Sequence, residues 1–375
     1  MQFKKTKIIT VAGTRPEFIK LSETIKLLDK FYDHILVNTN QNFEYELNKI
    51  FFEDLDIRKP DFLFEDKKKN AIHKISNNFI KIEKIFKDEK PDGLLILGDT
   101  NSTLVAYVAK RLKIPIFHIE AGNRCFDYRV PEEINRKIVD HLSDVNLVYS
   151  DISRNYLIKE NFSPDFVIKV GSPIKEVFEK NKNKIKRSKI LQELKLKKKK
   201  YLLFSFHREE NLDVVEKLNN FINLIKYLDK NYDHEIIIST HYKLRDRIKS
   251  LDKSKISKKV KFLKPFGYFD YCKLLLNAFL VLSDSGTLNE EASVMDFRAI
   301  NLRETHERPE AEEEAVTQML GLNQNKIVEY INNINKLTKP KLVKDYNVLN
   351  FSEKIVKIIG SYTDKVQREI WKNNL

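Results

Sequence analysis

This chain has little that serves crosslinking, metal binding or membrane insertion. Two cysteines, Cys125 and Cys272, in 375 residues cannot build a disulfide framework. No Cys/His spacing matches a zinc site, so no metal centre is expected. No apolar run approaches the roughly 20 residues that cross a bilayer. Residues 1–7 have no signal-peptide core. The expectation is a cytoplasmic protein with no membrane partner. G-x-G-x-x-G and G-x-x-x-x-G-K-[ST] are both missing, so neither a dinucleotide fingerprint nor a P-loop is supported. Solenoid-type repeats and low-complexity linkers are missing too.

What is present excludes disorder: 24 Phe and 15 Tyr, with 42% apolar residues, are enough for two real cores at this length. The formal charge of +14 invites a nucleic-acid reading. Most of the excess is lysine in short runs, such as Lys67-Lys68-Lys69 and Lys197-Lys198-Lys199-Lys200, set among Asn and Ile. No face interleaves Arg with aromatics as nucleic-acid sites do, so a solvated surface explains the charge and no nucleic-acid partner is expected.

Short apolar runs alternate with amphipathic stretches along the chain. Ile8-Ile9-Thr10-Val11, Leu94-Leu95-Ile96-Leu97 and Ile114-Pro115-Ile116-Phe117 are examples of the first; Ile75, Phe79, Ile82 and Phe86 illustrate the second. That alternation predicts parallel sheets covered on both faces by helices, an α/β fold. It pauses at Gly171-Ser172-Pro173, passes a lysine-rich stretch over 180–200, and resumes at Tyr201-Leu202-Leu203-Phe204. The pattern divides into two βαβ domains, 1–172 and 173–354, with a closing helix over 355–375 that packs back on the first.

Chemistry in open parallel sheets gathers beyond the carboxyl ends of the strands. Those positions hold Gly13-Thr14-Arg15-Pro16-Glu17, Gly98-Asp99-Thr100-Asn101-Ser102 and His118-Ile119-Glu120-Ala121-Gly122-Asn123-Arg124. Further along come Pro131-Glu132-Glu133-Ile134-Asn135-Arg136, Phe206-His207-Arg208-Glu209-Glu210-Asn211, Ser283-Asp284-Ser285-Gly286-Thr287 and Arg303-Glu304-Thr305-His306-Glu307-Arg308. Each has a plain role when taken singly. Asp99 can cap a helix, Glu132 and Arg136 can form an i,i+4 pair, and Arg308 can belong to a solvated loop. Each also has a chemical one. Arg15 at a helix start, with Lys20 a turn later, suits a phosphate. Asp99 and Glu120 at neighbouring strand ends can divide acid and base duties. Ser285, Gly286 and Thr287 form a phosphate cradle, and Glu291 can accept from ribose hydroxyls.

Together, in this order across nearly the whole chain, the motifs GTRPE, GDTNS, HIEAGNR, PEEINR, FHREEN, SDSGT-x-x-EEA and LRETHERPE resemble the non-hydrolysing UDP-N-acetylglucosamine 2-epimerases. The resemblance implies two Rossmann-like domains facing across a cleft, the glycosyltransferase-B architecture. The carboxylates would lie in the first domain and the UDP site in the second. It implies loss of the C2 proton and of UDP from C1 to give a 2-acetamidoglycal, then re-addition with reprotonation on the opposite face. No cofactor is needed. Carried over motif by motif, Asp99, Glu120 and Glu132 are the catalytic carboxylates, with His207 beside the diphosphate. Arg15, Ser285, Gly286, Thr287, Glu291 and Arg308 hold UDP, Lys20 and Arg136 support, and Tyr271 stands near the uracil.

Three departures from the commoner members point to one branch. Thr287 replaces a glycine, Asn123 replaces a leucine, and Gln41-Asn42-Phe43-Glu44-Tyr45-Glu46 replaces a basic segment that holds an activating UDP-sugar. Activation by a second UDP-sugar is therefore not expected. The branch they resemble converts UDP-2-acetamido-2,6-dideoxy-L-talose to UDP-N-acetyl-L-fucosamine for capsule and O-antigen synthesis. The alternative is a UDP-GlcNAc 2-epimerase giving UDP-ManNAc. A glycosyltransferase of the same architecture and a basic nucleic-acid-binding protein are remoter rivals. A homodimer is expected.

Overall fold

The computed structural model describes residues 5–41, 51–65, 70–240, 242–247, 256–338 and 342–373. Of the segment 41–46 only Gln41 is among them, and Lys67, Lys68 and Lys69 lie outside. Two compact units result: Met1–Glu179 with Asp345–Leu375, and Lys180–Lys344.

Among the described residues, the first unit holds a seven-stranded parallel sheet. Its strands are β1 (Lys7–Ala12), β2 (Asp33–Asn38), β3 (Phe62–Leu63), β4 (Gly93–Leu97), β5 (Ile116–Ala121), β6 (Val145–Val148) and β7 (Val167–Lys169). Their order is β3-β2-β1-β4-β5-β6-β7. Every residue of β4 and β5 is buried, the mark of a parallel sheet covered on both faces. The chain runs outward from β1 to β3, then returns to place β4 on the other side of β1. Register Ile8↔Gly93 to Val11↔Ile96 sets the turns after β1 and β4 side by side at this switch point.

The second unit repeats the plan with six strands: β8 (Tyr201–Ser205), β9 (Glu235–Ser239), β10 (Val260–Leu263), β11 (Leu280–Ser283), β12 (Ala299–Asn301) and β13 (Thr317–Met319). The order β10-β9-β8-β11-β12-β13 puts its switch point between β8 and β11, where Ser205 pairs with Ser283. Phe204, Phe206 and Phe221 fill the core beneath, with Phe206 and Phe221 stacked 4.3 Å apart.

The division between units falls inside the helix Ile174–Arg187 instead of at Pro173. Ile174, Val177 and Phe178 in its first turns are buried, and Glu176 accepts from Ser352 N (2.9 Å) and Oγ (2.6 Å). Residues 345–354, expected in the second domain, likewise belong to the first unit. The closing helix Phe351–Glu369 buries Phe351, Ile355, Ile359 and Val366. Tyr32 donates to its Val356 carbonyl (2.7 Å), and Thr24 Oγ1 bonds Ser352 Oγ (3.2 Å), fixing it to the helix Arg15–Phe31. Lys197, Lys198, Lys199 and Lys200 are exposed, and among the described residues no helix is long and apolar enough to cross a membrane.

Candidate active site

In the first unit the site is assembled from the turns after β1, β4 and β5. Thr14 caps the helix Arg15–Phe31 in a capping box with Glu17. Glu17 accepts from the Gly13 and Thr14 N–H groups (2.7 Å each), from Thr14 Oγ1 (3.0 Å) and from Thr100 Oγ1 (2.7 Å). One buried carboxyl thus ties the β1 turn to the β4 turn. Burial pushes its pKa up, against the pull of those four donors. A Cβ on Gly13 would collide with Thr39 Oγ1 and Ser102 Oγ, so only glycine lets the turn approach them. Half-buried Arg15 lays its guanidinium 4.3 Å from the centre of the Phe51 ring.

Glu120 is the penultimate residue of β5, at a register shift against β6, and its φ of +69° lies in the left-handed region. Such a conformation costs about 1–3 kcal/mol in a non-glycine residue, so the surrounding structure must hold it. Lys20 Nζ sits 2.5 Å from Glu120 Oε2, and Tyr149 OH donates to the same oxygen at 3.1 Å. Lys20 lies 5.5 Å from the Tyr149 ring centre. An isolated buried charge would be prohibitive here; each of these two offsets the other.

Asp99 leaves the neighbouring strand, and Gly98 N donates to Ile119 O at 2.9 Å between the two turns. Arg136 reaches Asp99 Oδ2 with Nε (3.1 Å) and Nη2 (2.5 Å), and its Nη1 meets Glu133 Oε2 at 2.5 Å. Asn135 donates to the Asp99 carbonyl (3.0 Å) and to Asn101 Oδ1 (3.1 Å). Sequence spacing puts Glu132 on the face of Arg136, and the structure adds contacts from Arg136 to Asp99 and Glu133. Glu132 is half-buried in the first turn of the helix Pro131–Leu142. Fully buried Glu133 also accepts from the N–H groups of Cys125 (3.0 Å) and Phe126 (3.3 Å), anchoring the loop after β5.

In the second unit the turns after β8 and β11 meet through Asp284. Its buried carboxylate accepts from the N–H groups of His207 (3.1 Å) and Arg208 (2.9 Å) and from Asn211 Nδ2 (3.1 Å). It also lies 3.1 Å from His207 Nδ1, fixing which ring nitrogen turns outward. Burial alone would raise the Asp284 pKa, but His207 and those donors outweigh it and hold it at about 2. Ser285 Oγ and Thr287 Oγ1 are 3.1 Å apart in the next turn. A Cβ on Gly286 would lie 3.0 Å from Arg208 Nη2, so that guanidinium lies over the cradle. Thr287 stands at the N-cap position of the helix Leu288–Met295, which carries half-buried Glu291. Arg308 is buried, its Nε 3.5 Å from sealed Glu290. Tyr271 lies half-buried on the helix Tyr268–Asn277.

Lys20 with Glu120, Arg136 with Asp99, and Ser285 with Thr287 are direct contacts between sequence-chosen residues. Glu17, Glu133, Tyr149, Arg208 and Asp284 are additions. Glu17 had a signal, the Thr-x-x-Glu capping box, and Asp284 had one in its place at a strand end, though not in its partners; Tyr149 had none. Among the described residues no group of three or more His, Cys, Asp or Glu side chains is placed to hold a metal ion.

Comparison with known proteins agrees over almost the whole chain. The family model for UDP-N-acetylglucosamine 2-epimerase matches residues 27–360. A solved UDP-N-acetylglucosamine 2-epimerase from Rickettsia bellii is 43% identical with a TM-score of 0.91, covering 98% of this chain and 100% of that one. The Methanocaldococcus jannaschii UDP-GlcNAc 2-epimerase, solved with UDP-GlcNAc and UDP, is 34% identical with a TM-score of 0.88, covering 95% and 99%. The UDP-2,3-diacetamido-2,3-dideoxy-D-glucuronate 2-epimerase of Pseudomonas aeruginosa is 30% identical, covering 86% of this chain and 90% of its own.

Proposed function

This chain belongs to the UDP-N-acetylglucosamine 2-epimerase family, and from that premise we propose that it inverts C2 of a UDP-N-acetylhexosamine by eliminating and re-adding UDP. It is an isomerase. The observation that carries the mechanism is two carboxylates at neighbouring strand ends, each with its own cation: Glu120 with Lys20, and Asp99 with Arg136.

In the forward step one carboxylate takes the C2 proton, the C1–O bond breaks with its electron pair leaving on UDP, and C1=C2 forms. UDP then re-adds at C1 while C2 receives a proton on its other face. Inversion needs groups on both faces, and Asp99, Glu120 and Glu132 are assigned to them. A carboxylate held by a fixed cation is oriented toward the position its substrate proton would occupy. We assign the leaving diphosphate to His207, Arg15, Arg308 and the Ser285-Gly286-Thr287 turn. These donors match the charge that develops as C1–O opens. Glu291 is assigned to the ribose and Tyr271 to the uracil. A cytoplasmic homodimer is part of the same proposal.

For the sugar we propose UDP-2-acetamido-2,6-dideoxy-L-talose, giving UDP-N-acetyl-L-fucosamine for capsule and O-antigen synthesis. Its support is the three departures together, Thr287, Asn123 and the segment Gln41-Asn42-Phe43-Glu44-Tyr45-Glu46, of which Asn123 lies buried three residues after Glu120. UDP-GlcNAc is the second reading, favoured by the name of the Rickettsia bellii relative. Each sugar is incubated with enzyme in heavy water and C2 is followed by NMR. Deuterium at C2 with inversion supports epimerisation, and the larger kcat/KM selects the sugar. If neither sugar exchanges its C2 proton, the epimerase assignment fails.

A further inference from the structure

Below the Asp99 and Glu120 turns lies a sealed polar cluster to which the proposed chemistry gives no part. His118, two residues before Glu120 on β5, is fully buried. Its Nε2 donates to the Gly98 carbonyl at 2.7 Å, the residue before Asp99. Its Nδ1 lies 3.0 Å from Asp140 Oδ1. Asp140, also fully buried, accepts from Gly122 N at 3.3 and 3.2 Å, two residues after Glu120. It further accepts from Arg124 Nη1 at 2.7 Å, and Arg124 turns Nε and Nη2 to Glu160 at 2.8 and 2.6 Å.

One ring and one carboxylate therefore hold the backbone on both sides of the candidate acid-base pair. We propose that His118 and Asp140 are positioning residues, a buried strut that sets the Asp99 turn against the Glu120 turn. This rests on the assignment of Asp99 and Glu120 as the acid-base carboxylates. A purely stabilising role accounts poorly for the cluster. Buried ion pairs are often replaceable by apolar side chains of similar volume at no loss of stability. What apolar residues cannot supply is a donor to the Gly98 carbonyl and an acceptor for the Gly122 N–H at fixed spacing. Glu120 needs that fixing, because its left-handed backbone is held by its surroundings. The Asp140 carboxyl, which burial alone would push up, is held below the usual range by His118 and Arg124, consistent with a permanently charged anchor.

The test uses full-length His118→Phe, which keeps the ring volume and the Asp140–Arg124 pair but loses the donor to Gly98. Its companion is Asp140→Asn, and His118→Gln is used if the Phe variant does not fold. Folding is checked by circular dichroism and UDP affinity by calorimetry. Misplaced catalytic groups predict a kcat lower by about 10²-fold, with KM and UDP affinity kept within about twofold, since only the reacting carboxylates move. Wild-type kcat in the folded variants, or a loss confined to KM, overturns the strut while leaving an active wild-type enzyme as the epimerase proposed. Wild-type protein that does not invert C2 overturns the acid-base assignment, and the strut with it.

Discussion

Lys20 Nζ closes to 2.5 Å on Glu120 Oε2 with the two side chains only 4% and 8% exposed. Removing one partner of such a pair leaves the other charge buried without this counter-charge. Lys20→Met is therefore expected to cost about 3–5 kcal/mol in denaturant unfolding. Lys20→Met combined with Glu120→Gln should regain most of that stability and none of the activity. A double variant as unstable as Lys20→Met alone would deny the coupling.

Arg136 holds Asp99 through two contacts on one oxygen. Asp99→Asn keeps the shape and removes the base. Turnover should fall by about 10²–10⁴-fold, the usual worth of a general base, with UDP affinity unchanged in calorimetry. Near-normal turnover would remove Asp99 from the chemistry.

The Asp284–His207 contact makes two predictions. Asp284→Asn should lower kcat by about 10²-fold through loss of His207 orientation. It should also change the acid limb of stability. Asp284 has a folded-state pKa of about 2, below the ordinary aspartate value of 3.8, so its contribution is complete above the unfolded value and fades as pH falls toward 2. That contribution is about 2 kcal/mol at neutral pH. The variant's stability should be lower than wild type at pH 7 and converge with it near pH 2; parallel curves would contradict the assignment.

Gly122 has φ of +76°, and a Cβ there would lie 2.5 Å from the Ser153 carbonyl oxygen. Gly122→Ala should destabilise by about 1–3 kcal/mol from backbone strain alone, with more from the clash, read as a lower denaturation midpoint. An unchanged midpoint would show that the β5 turn yields easily.

The strand ends were legible because parallel strands are nearly continuous apolar runs, and the residues just beyond each run are polar by contrast. The Gly13 turn was legible as a strand-to-helix turn through Gly13 and Pro16, but its Thr14–Glu17 capping box was not read. Glu132 and Glu133 mark where legibility stops. Positions i+3 and i+4 are both neighbours on a helix, so spacing alone did not single out Glu133 as a partner of Arg136. The role of Asp284 was hidden for another reason: its partners His207, Arg208 and Asn211 come from the turn after β8, far earlier in the chain. The two units part between Glu179 and Lys180, inside the helix Ile174–Arg187 and at the start of the lysine-rich stretch, whereas the pause at Gly171-Ser172-Pro173 lies a few residues earlier.

The central claim is that the C1–O bond breaks and re-forms while C2 inverts. Positional isotope exchange reads it directly. The UDP-sugar is made with heavy oxygen in the bridge between C1 and the β-phosphorus, and the label is followed by ³¹P NMR during epimerisation. Bond cleavage frees that oxygen to rotate among the terminal phosphate positions, so label should scramble from the bridge as inverted sugar accumulates. Inversion at C2 with the label fixed in the bridge would contradict elimination.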